Sequence, residues 1–360
     1  MKIVGVDVGT GNLVSSTKNK DIEINSMRNM FLPISSDFIN SSDISNTKLD
    51  YVEFKNDEGE VESVFILGED AYKFGNIFGK EVKRTMSRGV ISTKEIDAID
   101  VITLMMQKLV GVSKDGYCVY SVPAESIDEK MPPVLYHERV FGKIFETLGY
   151  KSKAINEGMA VIYNECKNTN YSGIGISFGA GLVNIACSYK GTPVLTFSLV
   201  RSGDWIDRNV GDSLGIIPNR ITSVKENNLD LMNPGKGHKK DKRIREALAY
   251  YYASLIEYVL TKIVEKFNED SDGLYIDEKI PIIISGGTSK PSGFLELFKD
   301  VFGRVKNFPY EISEIKLSSD QLNAVALGCL EYANIDKKVT DTKNVDDKTI
   351  DDKVYTKNEK

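Results

Sequence analysis

Two short apolar runs in this chain each end in a glycine-rich turn. The first, Lys2–Val8, delivers the carboxylate of Asp7 into the sequence G-T-G-N at residues 9–12. The second, residues 173–178, ends in G-A-G at 179–181. Glycine allows positive φ and lets backbone amides approach an anion closely. A single turn of this kind reads most simply as a β-hairpin tip, but the repetition predicts two facing loops that hold one polyphosphate.

A third apolar run, Lys279 to Ser285, also ends in glycines, Gly286 and Gly287. Its continuous apolar sequence is typical of a strand buried on both faces. Strand patterns alternate with helical ones along the chain, such as the amphipathic stretches 96–110 and 242–267. This alternation predicts an α/β class, in which ligands bind at the carboxyl ends of strands. We call the glycine-rich turns that follow Val8, Phe178 and Ser285 the three glycine ends. They meet naturally only in a cleft between two related domains.

The length of 360 residues exceeds the size at which one hydrophobic core keeps growing, so we expect two domains. We place domain I at residues 1–147 plus 320–334, with a small inserted subdomain at about 18–95. Domain II then covers 148–319. Residues 336–360 are rich in Lys, Asp, Thr and Asn, with one aromatic residue, Tyr355. Because so little of this segment can be buried, we expect a disordered, charged tail.

Composition argues against several classes of function. A net charge of -6 offers no basic face for nucleic acid. Four cysteines are scattered without metal-ligand spacing, which favours reduced thiols in a cytoplasmic protein. His137 and His238 lie outside the glycine and carboxylate clusters, so histidine acid–base chemistry is not expected. No stretch approaches about 20 apolar residues, and no amphipathic segment precedes Lys2. We therefore expect a cytoplasmic protein without direct membrane insertion.

The motifs, taken in order, resemble those of the actin, sugar-kinase and heat-shock-chaperone ATPase superfamily. The pattern is most similar to prokaryotic actins such as MreB and to archaeal actin homologues. D-V-G-T-G-N at 7–12 matches the first phosphate loop, G-A-G at 179–181 the second, and I-I-I-S-G-G-T at 282–288 the adenosine loop. Residues 155–161 and 323–328 look like the two connecting helices. Each motif alone is weak, but five in the right order between Lys2 and Ala333 support the superfamily well.

The resemblance implies an actin-like fold, with two related ribonuclease-H-like domains around a cleft that binds ATP or ADP and Mg²⁺. It implies that Asp7 orients waters of the Mg²⁺ ion and that Glu157 positions the attacking water. Gly203 and Asp204 are then near the sugar, and Lys225 and Glu226 flank the base, unless those two are simply solvated helix residues. The residues implied in nucleotide binding are Gly9, Thr10, Gly11, Asn12, Ser177, Gly179, Ala180, Gly181, Leu182, Gly203, Asp204, Lys225, Glu226, Gly286, Gly287 and Thr288.

One position departs from the family pattern. The second phosphate loop usually opens with an Asp, as D-x-G-x-G, whereas this chain has Ser177. A hydroxyl can still hydrogen-bond a metal-bound water, but it supplies no negative charge. We therefore expect nucleotide binding to persist, with weaker Mg²⁺ affinity or slower hydrolysis than in relatives that carry both acids.

The leading hypothesis is a polymerising cytoskeletal ATPase, in which the nucleotide sets cleft closure and closure sets the contacts of a homopolymeric filament. Adaptor proteins could bind the tail. A chaperone-type ATPase is disfavoured because nothing after Ala333 could form a peptide-binding domain. A small-molecule kinase is mildly disfavoured, since no substrate-binding insertion is evident. A non-enzymatic, nucleotide-binding scaffold stays open because of Ser177.

Overall fold

The computed structural model describes residues 1–34, 48–56, 58–269 and 276–337. These residues form two five-stranded mixed sheets with helices packed against them, together with two smaller sheets. The predicted α/β class with two related domains is thereby confirmed.

The strands follow the sequence pattern closely in the second half of the chain and less closely in the first. In chain order they are β1 (Lys2–Val8), β2 (Asn12–Lys18), β3 (Ile22–Arg28), β4 (Phe31–Ile34), β5 (Tyr51–Lys55), β6 (Val61–Leu67), β7 (Met86–Ser87), β8 (Val90–Ile91), β9 (Gly116–Val122), β10 (Tyr150–Asn156), β11 (Gly173–Phe178), β12 (Val183–Tyr189), β13 (Thr192–Leu199), β14 (Ile280–Ser285) and β15 (Ile312–Leu317).

The helices lie between these strands, and the long amphipathic stretches of the sequence each form one. They are α1 (Gly68–Phe78), α2 (Ala98–Val110), α3 (Val134–Thr147), α4 (Glu157–Glu165), α5 (Gly203–Leu214), α6 (Pro218–Asn228), α7 (Lys242–Glu269), α8 (Phe294–Phe302) and α9 (residues 324–337). Short 3₁₀ turns occur at Lys167–Thr169, Lys239–Asp241 and Gly287–Ser289. Among the described residues, no helix is both long and apolar enough to cross a membrane.

The two large sheets share one topology. Their strand orders are β3-β2-β1-β9-β10 and β13-β12-β11-β14-β15. In each sheet the central strand, β1 or β11, has an antiparallel neighbour on one side and a parallel neighbour on the other. The outer strands repeat the same directions in both sheets. Because β1 and β11 are the strands that lead into the first two glycine turns, the shared topology places those turns at equivalent points.

The first sheet departs from the predicted domain boundaries at two places. Ile22–Arg28, which the sequence pattern assigns to the inserted subdomain, pairs with β2 along its whole length as an edge strand. Tyr150–Asn156, assigned to domain II, pairs in parallel with β9. Edge strands give a weak sequence signal because one edge and much of their surface meet solvent, and Ile22–Arg28 is mostly exposed. Backbone pairing, and not the pattern of side chains, therefore decides which sheet these two strands join.

The inserted subdomain is correspondingly smaller than predicted. It contains the three-stranded sheet β4-β6-β5, helix α1 and the two-stranded hairpin β7-β8. Phe31, Phe65 and Phe54 pack edge to face within it, with ring centroids 5.7 and 5.1 Å apart in successive pairs. Because Phe31 and Phe65 also belong to the core of the first domain, the subdomain is packed on that domain as a continuous unit.

Two helices, α4 and α9, connect the domains and cross each other closely. Helix α4 packs on the second sheet, where Gly158 lies against Ala186. Helix α9 packs on the first sheet, where the Ser16 hydroxyl donates to the Ala326 carbonyl at 2.8 Å. At their crossing, a Cβ added to Gly328 would lie 1.8 Å from the Ala160 carbonyl oxygen. Only glycine at this position allows the helices to approach so closely.

The C-terminal end of α9 extends past the predicted start of the tail. The carboxylate of Asp336 accepts hydrogen bonds from the Tyr117 hydroxyl at 2.6 Å and the Lys153 ammonium at 2.7 Å. These contacts attach the end of α9 to β9 and β10, so the predicted tail begins at least two residues too early. The rest of the predicted tail, residues 338–360, lies outside the described residues.

Candidate functional site

The three glycine ends line one cleft of about 810 Å³ between the two large sheets. All but one of the residues implied in nucleotide binding line this cleft, and so do Asp7 and Glu157. The exception is Gly203, which lies behind the second glycine loop. Its amide donates to the Gly179 carbonyl at 3.1 Å, and an added Cβ would lie 2.4 Å from the Thr288 hydroxyl. Gly203 therefore supports the loop from outside the cleft.

The first two glycine loops meet each other across the cleft. A Cβ added to Gly181 would lie 2.5 Å from the Thr10 hydroxyl oxygen and 3.0 Å from the Gly89 amide nitrogen. The same hydroxyl accepts a hydrogen bond from the Gly89 amide at 2.9 Å. A Cβ on Gly11 would lie 3.0 Å from the Ala180 methyl carbon. Small residues at these points allow the two loops to form one continuous surface.

The carbonyl groups of the two loops are engaged away from the cleft. Asn29 donates its side-chain amide to the Gly9 carbonyl and its backbone amide to the Gly11 carbonyl, each at 3.0 Å. In the second loop, the Ala180 carbonyl accepts from the Ser202 hydroxyl at 2.6 Å and from the Asp204 amide at 2.8 Å. With its carbonyls held in this way, each loop presents its amides instead.

The backbone amides of Thr10, Gly11, Ala180 and Gly181 have no acceptor within the described part of the chain. Unpaired backbone donors are costly unless water or a ligand satisfies them. Successive free amides in a glycine turn form a concave anion-binding site. Two such turns from two domains, in contact with each other, can hold one polyphosphate from both sides.

A pair of carboxylates, the half-buried Asp7 and the buried Glu157, lies beside the loops. The Ser121 hydroxyl accepts from the Val8 amide at 2.9 Å and donates to Asp7 Oδ1 at 3.0 Å, which fixes the Asp7 side chain. Glu157 is the first residue of α4, where the Asn156 side chain caps the helix by accepting from two backbone amides. The end of β1 and the start of α4 therefore bring the two acids close together in the cleft.

Both carboxyl groups are harder to ionise than usual. Burial raises the pKa of Asp7 well above its ordinary value, and the hydrogen bond from Ser121 offsets only part of the rise. Burial and then the negative charge of Asp7 raise the pKa of Glu157, with a smaller opposing effect from the nearby Asn184 amide. A cation between these groups would relieve both effects, because an opposite charge favours the ionised form. The carboxylate pair thus suits a site for a hydrated divalent cation.

Within the described ranges, no group of three or more His, Cys, Asp or Glu side chains converges on one point. A metal ion beside Asp7 in this cleft would take most of its ligands from water molecules and from a bound phosphate. Mg²⁺ is the cation with that preference. Ser177 is 4% exposed and lines the same cleft, where it supplies a hydroxyl without charge.

The third glycine end forms the far part of the cleft. Gly286 adopts φ +92° and packs on the second loop, where an added Cβ would lie 2.3 Å from the Phe178 carbonyl oxygen. The Thr288 hydroxyl donates to the Gly179 carbonyl at 2.9 Å. These contacts join the second and third glycine ends, so that a planar group can lie along Gly286 and Gly287 while its phosphates meet the loops.

Helix α6 contributes a buried ion pair to this end of the cleft. Lys225 Nζ lies 2.7 Å from Asp207 Oδ2, and the two side chains are only 11% and 6% exposed. The Thr222 hydroxyl donates to the same oxygen at 2.7 Å. Lys225 is therefore not the solvated helix residue of the alternative reading. The sequence motifs assign no role to Asp207, which lies in the same helix as Gly203 and Asp204.

Two arginines of the first domain bridge the cleft, and no sequence motif points to either. Arg84 Nη1 donates to both carboxylate oxygens of Asp204, at 3.0 and 2.7 Å. Arg28 donates to both carboxylate oxygens of Glu226, at 2.7 and 3.3 Å. Asp204 and Glu226 thus face the cleft as implied, and each is also held by the opposite wall. We call these two ion pairs the cross-cleft pairs.

Comparison with solved structures places this arrangement among known folds. The chain is similar to MamK in a double helical filament, with a TM-score of 0.65 and 14% identity over 92% of this chain and 98% of that one. It is similar to MreB5 of Spiroplasma citri bound to AMPPNP, with a TM-score of 0.63 and 14% identity over 95% and 98% of the two chains. The ethanolamine utilization protein EutJ from Carboxydothermus hydrogenoformans matches with a TM-score of 0.52 and 16% identity over 92% and 89%.

These neighbours confirm the actin-like fold that the motifs imply. No curated protein matches the sequence significantly. A family model described as Volactin matches residues 1–333, which include both large sheets, the inserted subdomain and the cleft. The chain belongs to the Volactin family.

Proposed function

We propose that this protein binds ATP and ADP with Mg²⁺ in the cleft and assembles with copies of itself into cytoplasmic filaments under nucleotide control. The observation that carries the proposal is the set of four free amides from two domains, which meet beside the carboxylates of Asp7 and Glu157. A ligand that joins a polyphosphate to a planar group satisfies both ends of the cleft. Binding such a ligand stabilises one relative position of the two domains.

The residues present fit the nucleotide. The amides of Thr10, Gly11, Ala180 and Gly181 would hold the phosphates, and Gly286 and Gly287 leave room for the base and ribose. The Lys225 ammonium group would donate a hydrogen bond to the ligand, while its ion pair with Asp207 holds it in place. Phosphoryl transfer requires positioning and charge neutralisation more than covalent chemistry. A cleft with two amide cradles and two acids can supply both.

The two acids have different roles in the proposed hydrolysis. Asp7, held by Ser121, would orient water ligands of the Mg²⁺ ion, which supplies charge neutralisation at the phosphates when bound. Glu157 would orient the attacking water from the start of α4. Because Ser177 adds a hydroxyl and no charge, we propose slow hydrolysis and modest Mg²⁺ affinity.

The structural neighbours support the polymerising function. MamK is described as a double helical filament, and a non-polymerising point mutant of MamK is described as bound to AMPPNP. MreB5 of Spiroplasma citri is described with AMPPNP and with ADP. A second candidate, a nucleotide-binding scaffold that does not hydrolyse ATP, is favoured by the uncharged Ser177. In that case the cleft would bind nucleotide as a fixed structural ligand.

The test is assembly as a function of nucleotide. The purified protein is incubated with ATP and Mg²⁺, ADP and Mg²⁺, or no nucleotide, then pelleted by ultracentrifugation and imaged by electron microscopy, while phosphate release is measured in parallel. We expect filaments that depend on the nucleotide and slow release of phosphate. Filaments without phosphate release would favour the scaffold, and a strict monomer in every condition would refute the polymerising function.

Ser177→Asp separates the two candidates further. If Ser177 limits hydrolysis, the variant should bind Mg²⁺-nucleotide more tightly and release phosphate faster. The matched control is the same substitution at Ser213, an exposed residue of α5 outside the cleft. Ser188 is unsuitable because it is buried in β12. Unchanged rate and metal affinity in Ser177→Asp would contradict the proposed role.

A further inference from the structure

A concentrated group of exposed cations lies at the start of the longest helix, α7. Five of the eight residues from 236 to 243 are Lys or Arg, and all five are exposed; they are Lys236, Lys239, Lys240, Lys242 and Arg243. We call them the basic patch. The single carboxylate in this stretch, Asp241, pairs with Arg220 at 2.6 Å and does not neutralise the patch. The chain as a whole is acidic, with a net charge of -6.

The basic patch works against the helix that it precedes. A helix N-terminus carries a partial positive charge, so cations there are unfavourable and acids are favourable. The first turn of α7 contains no acidic residue. Within the described part of the chain, Lys242 leans towards Glu246 at 3.6 Å, and Lys239, Lys240 and Arg243 have no carboxylate within 4.0 Å. The patch therefore does not stabilise the isolated subunit.

The other end of α7 carries the opposite charge. The helix has 28 residues and so spans about 42 Å. It ends at Glu269, which lies 3.8 Å from Lys266, and the next described residues include Asp277 and Glu278. All three carboxylates are exposed, and the lysine that follows them, Lys279, pairs with Glu311 at 3.2 Å. Asp277 and Glu278 follow Ile276, which packs in the same core as Phe267 of the last turns of α7. We call Glu269, Asp277 and Glu278 the acidic end.

We propose that the basic patch of one subunit docks on the acidic end of the next copy of this chain. The proposal rests on the self-assembly proposed above and names the surfaces that carry it. Complementary charges at two ends of one rigid helix make a head-to-tail contact, and a head-to-tail contact between identical subunits repeats without closing when the rotation allows. Charge complementarity also speeds encounter and fixes orientation.

The experiment uses two charge-reversed variants of the full chain. In Lys239→Glu/Lys240→Glu/Arg243→Glu both ends of the subunit become acidic, and none of the three residues lines the nucleotide cleft. In Asp277→Lys/Glu278→Lys both ends become basic. Each variant alone should lose at least tenfold in the amount pelleted with nucleotide. An equimolar mixture should recover assembly, because acidic and basic ends then alternate along the polymer.

Lys114→Glu/Lys143→Glu/Lys151→Glu is the matched control, since it makes the same charge change at three exposed cations of the first domain. This control should assemble as the wild type does. Nucleotide binding and the urea midpoint are measured for every variant, so that misfolding is recognised. If the wild type forms filaments but the mixture of folded variants does not, or if either variant assembles alone, the docking proposal is wrong. If the wild type itself never assembles, the proposed function fails first.

Discussion

The two domains approach each other closely where α4 and α9 cross, and Gly328→Ala tests the importance of this crossing. The added methyl carbon would lie 1.8 Å from the Ala160 carbonyl oxygen, about 1.5 Å short of an ordinary carbon–oxygen contact of about 3.3 Å. That oxygen belongs to a helical backbone and cannot rotate away. The two helices must therefore separate, or the methyl group must be accommodated by strain.

The magnitude follows from two opposing effects. Overpacking of a close contact typically costs about 1–3 kcal/mol and more where backbone must move. Alanine gains about 1 kcal/mol over glycine in a helix interior. Because this contact involves two backbones, we take the upper part of the first range and expect a net loss of about 2 kcal/mol. The assay is urea unfolding followed by circular dichroism and by tyrosine fluorescence.

Gly142→Ala provides the control for helix propensity. Gly142 lies inside α3, and an added Cβ would meet the Tyr120 hydroxyl at an ordinary 3.4 Å. This variant should be as stable as the wild type or slightly more stable. Since α4 and α9 join the two domains, Gly328→Ala should also weaken nucleotide binding. A Gly328→Ala protein with wild-type stability and affinity would refute the reasoning.

Three further predictions concern charged groups. Lys225→Met should destabilise the protein by about 3 kcal/mol, because it leaves the buried carboxylate of Asp207 without its cation; urea unfolding measures this. Burial lowers the pKa of His137 to about 4, so the unfolded chain takes up its proton near pH 6.5 and the folded chain near pH 4. The part of the stability that depends on His137 should therefore be undiminished above about pH 6.5 and fall by up to about 3 kcal/mol as the pH drops to about 4, and urea unfolding of His137→Phe should lack this fall. Arg28→Glu and Glu226→Arg should each speed nucleotide release several-fold in stopped flow, and the two together should restore part of the wild-type rate.

Each of these has its own control. Asp207→Asn combined with Lys225→Met should recover much of the lost stability, and a double variant as unstable as Lys225→Met would exclude an unpaired charge as the cause. His238→Phe, at an exposed position, should leave the pH curve of stability unchanged. Glu69 pairs with Arg28 at 2.5 Å from within the same domain, so Glu69→Gln should change nucleotide release less than either cross-cleft reversal does.

The glycine ends show how far local sequence determines this site. Asp7 is followed by a turn that requires small residues, and a continuous apolar strand leads into Gly286 and Gly287. These are short-range requirements of backbone conformation and burial, so they are visible in a sequence read alone. The three ends do line one cleft, as the alternation of strands and helices predicts. Helix α7 and strand β14 are equally evident, because each buries a long periodic or continuous apolar face.

Other features were decided only when the chain folded. The membership of β3 and β10 in the first sheet depends on backbone pairing at sheet edges, where side chains carry little signal. Arg28 and Arg84 meet their partners 198 and 120 residues away along the chain. Long-range charge pairs leave no periodic pattern, because each needs only one residue at each end. Sequence by itself therefore determined the two glycine loops and their acid, and tertiary structure decided which charged groups close the cleft around them.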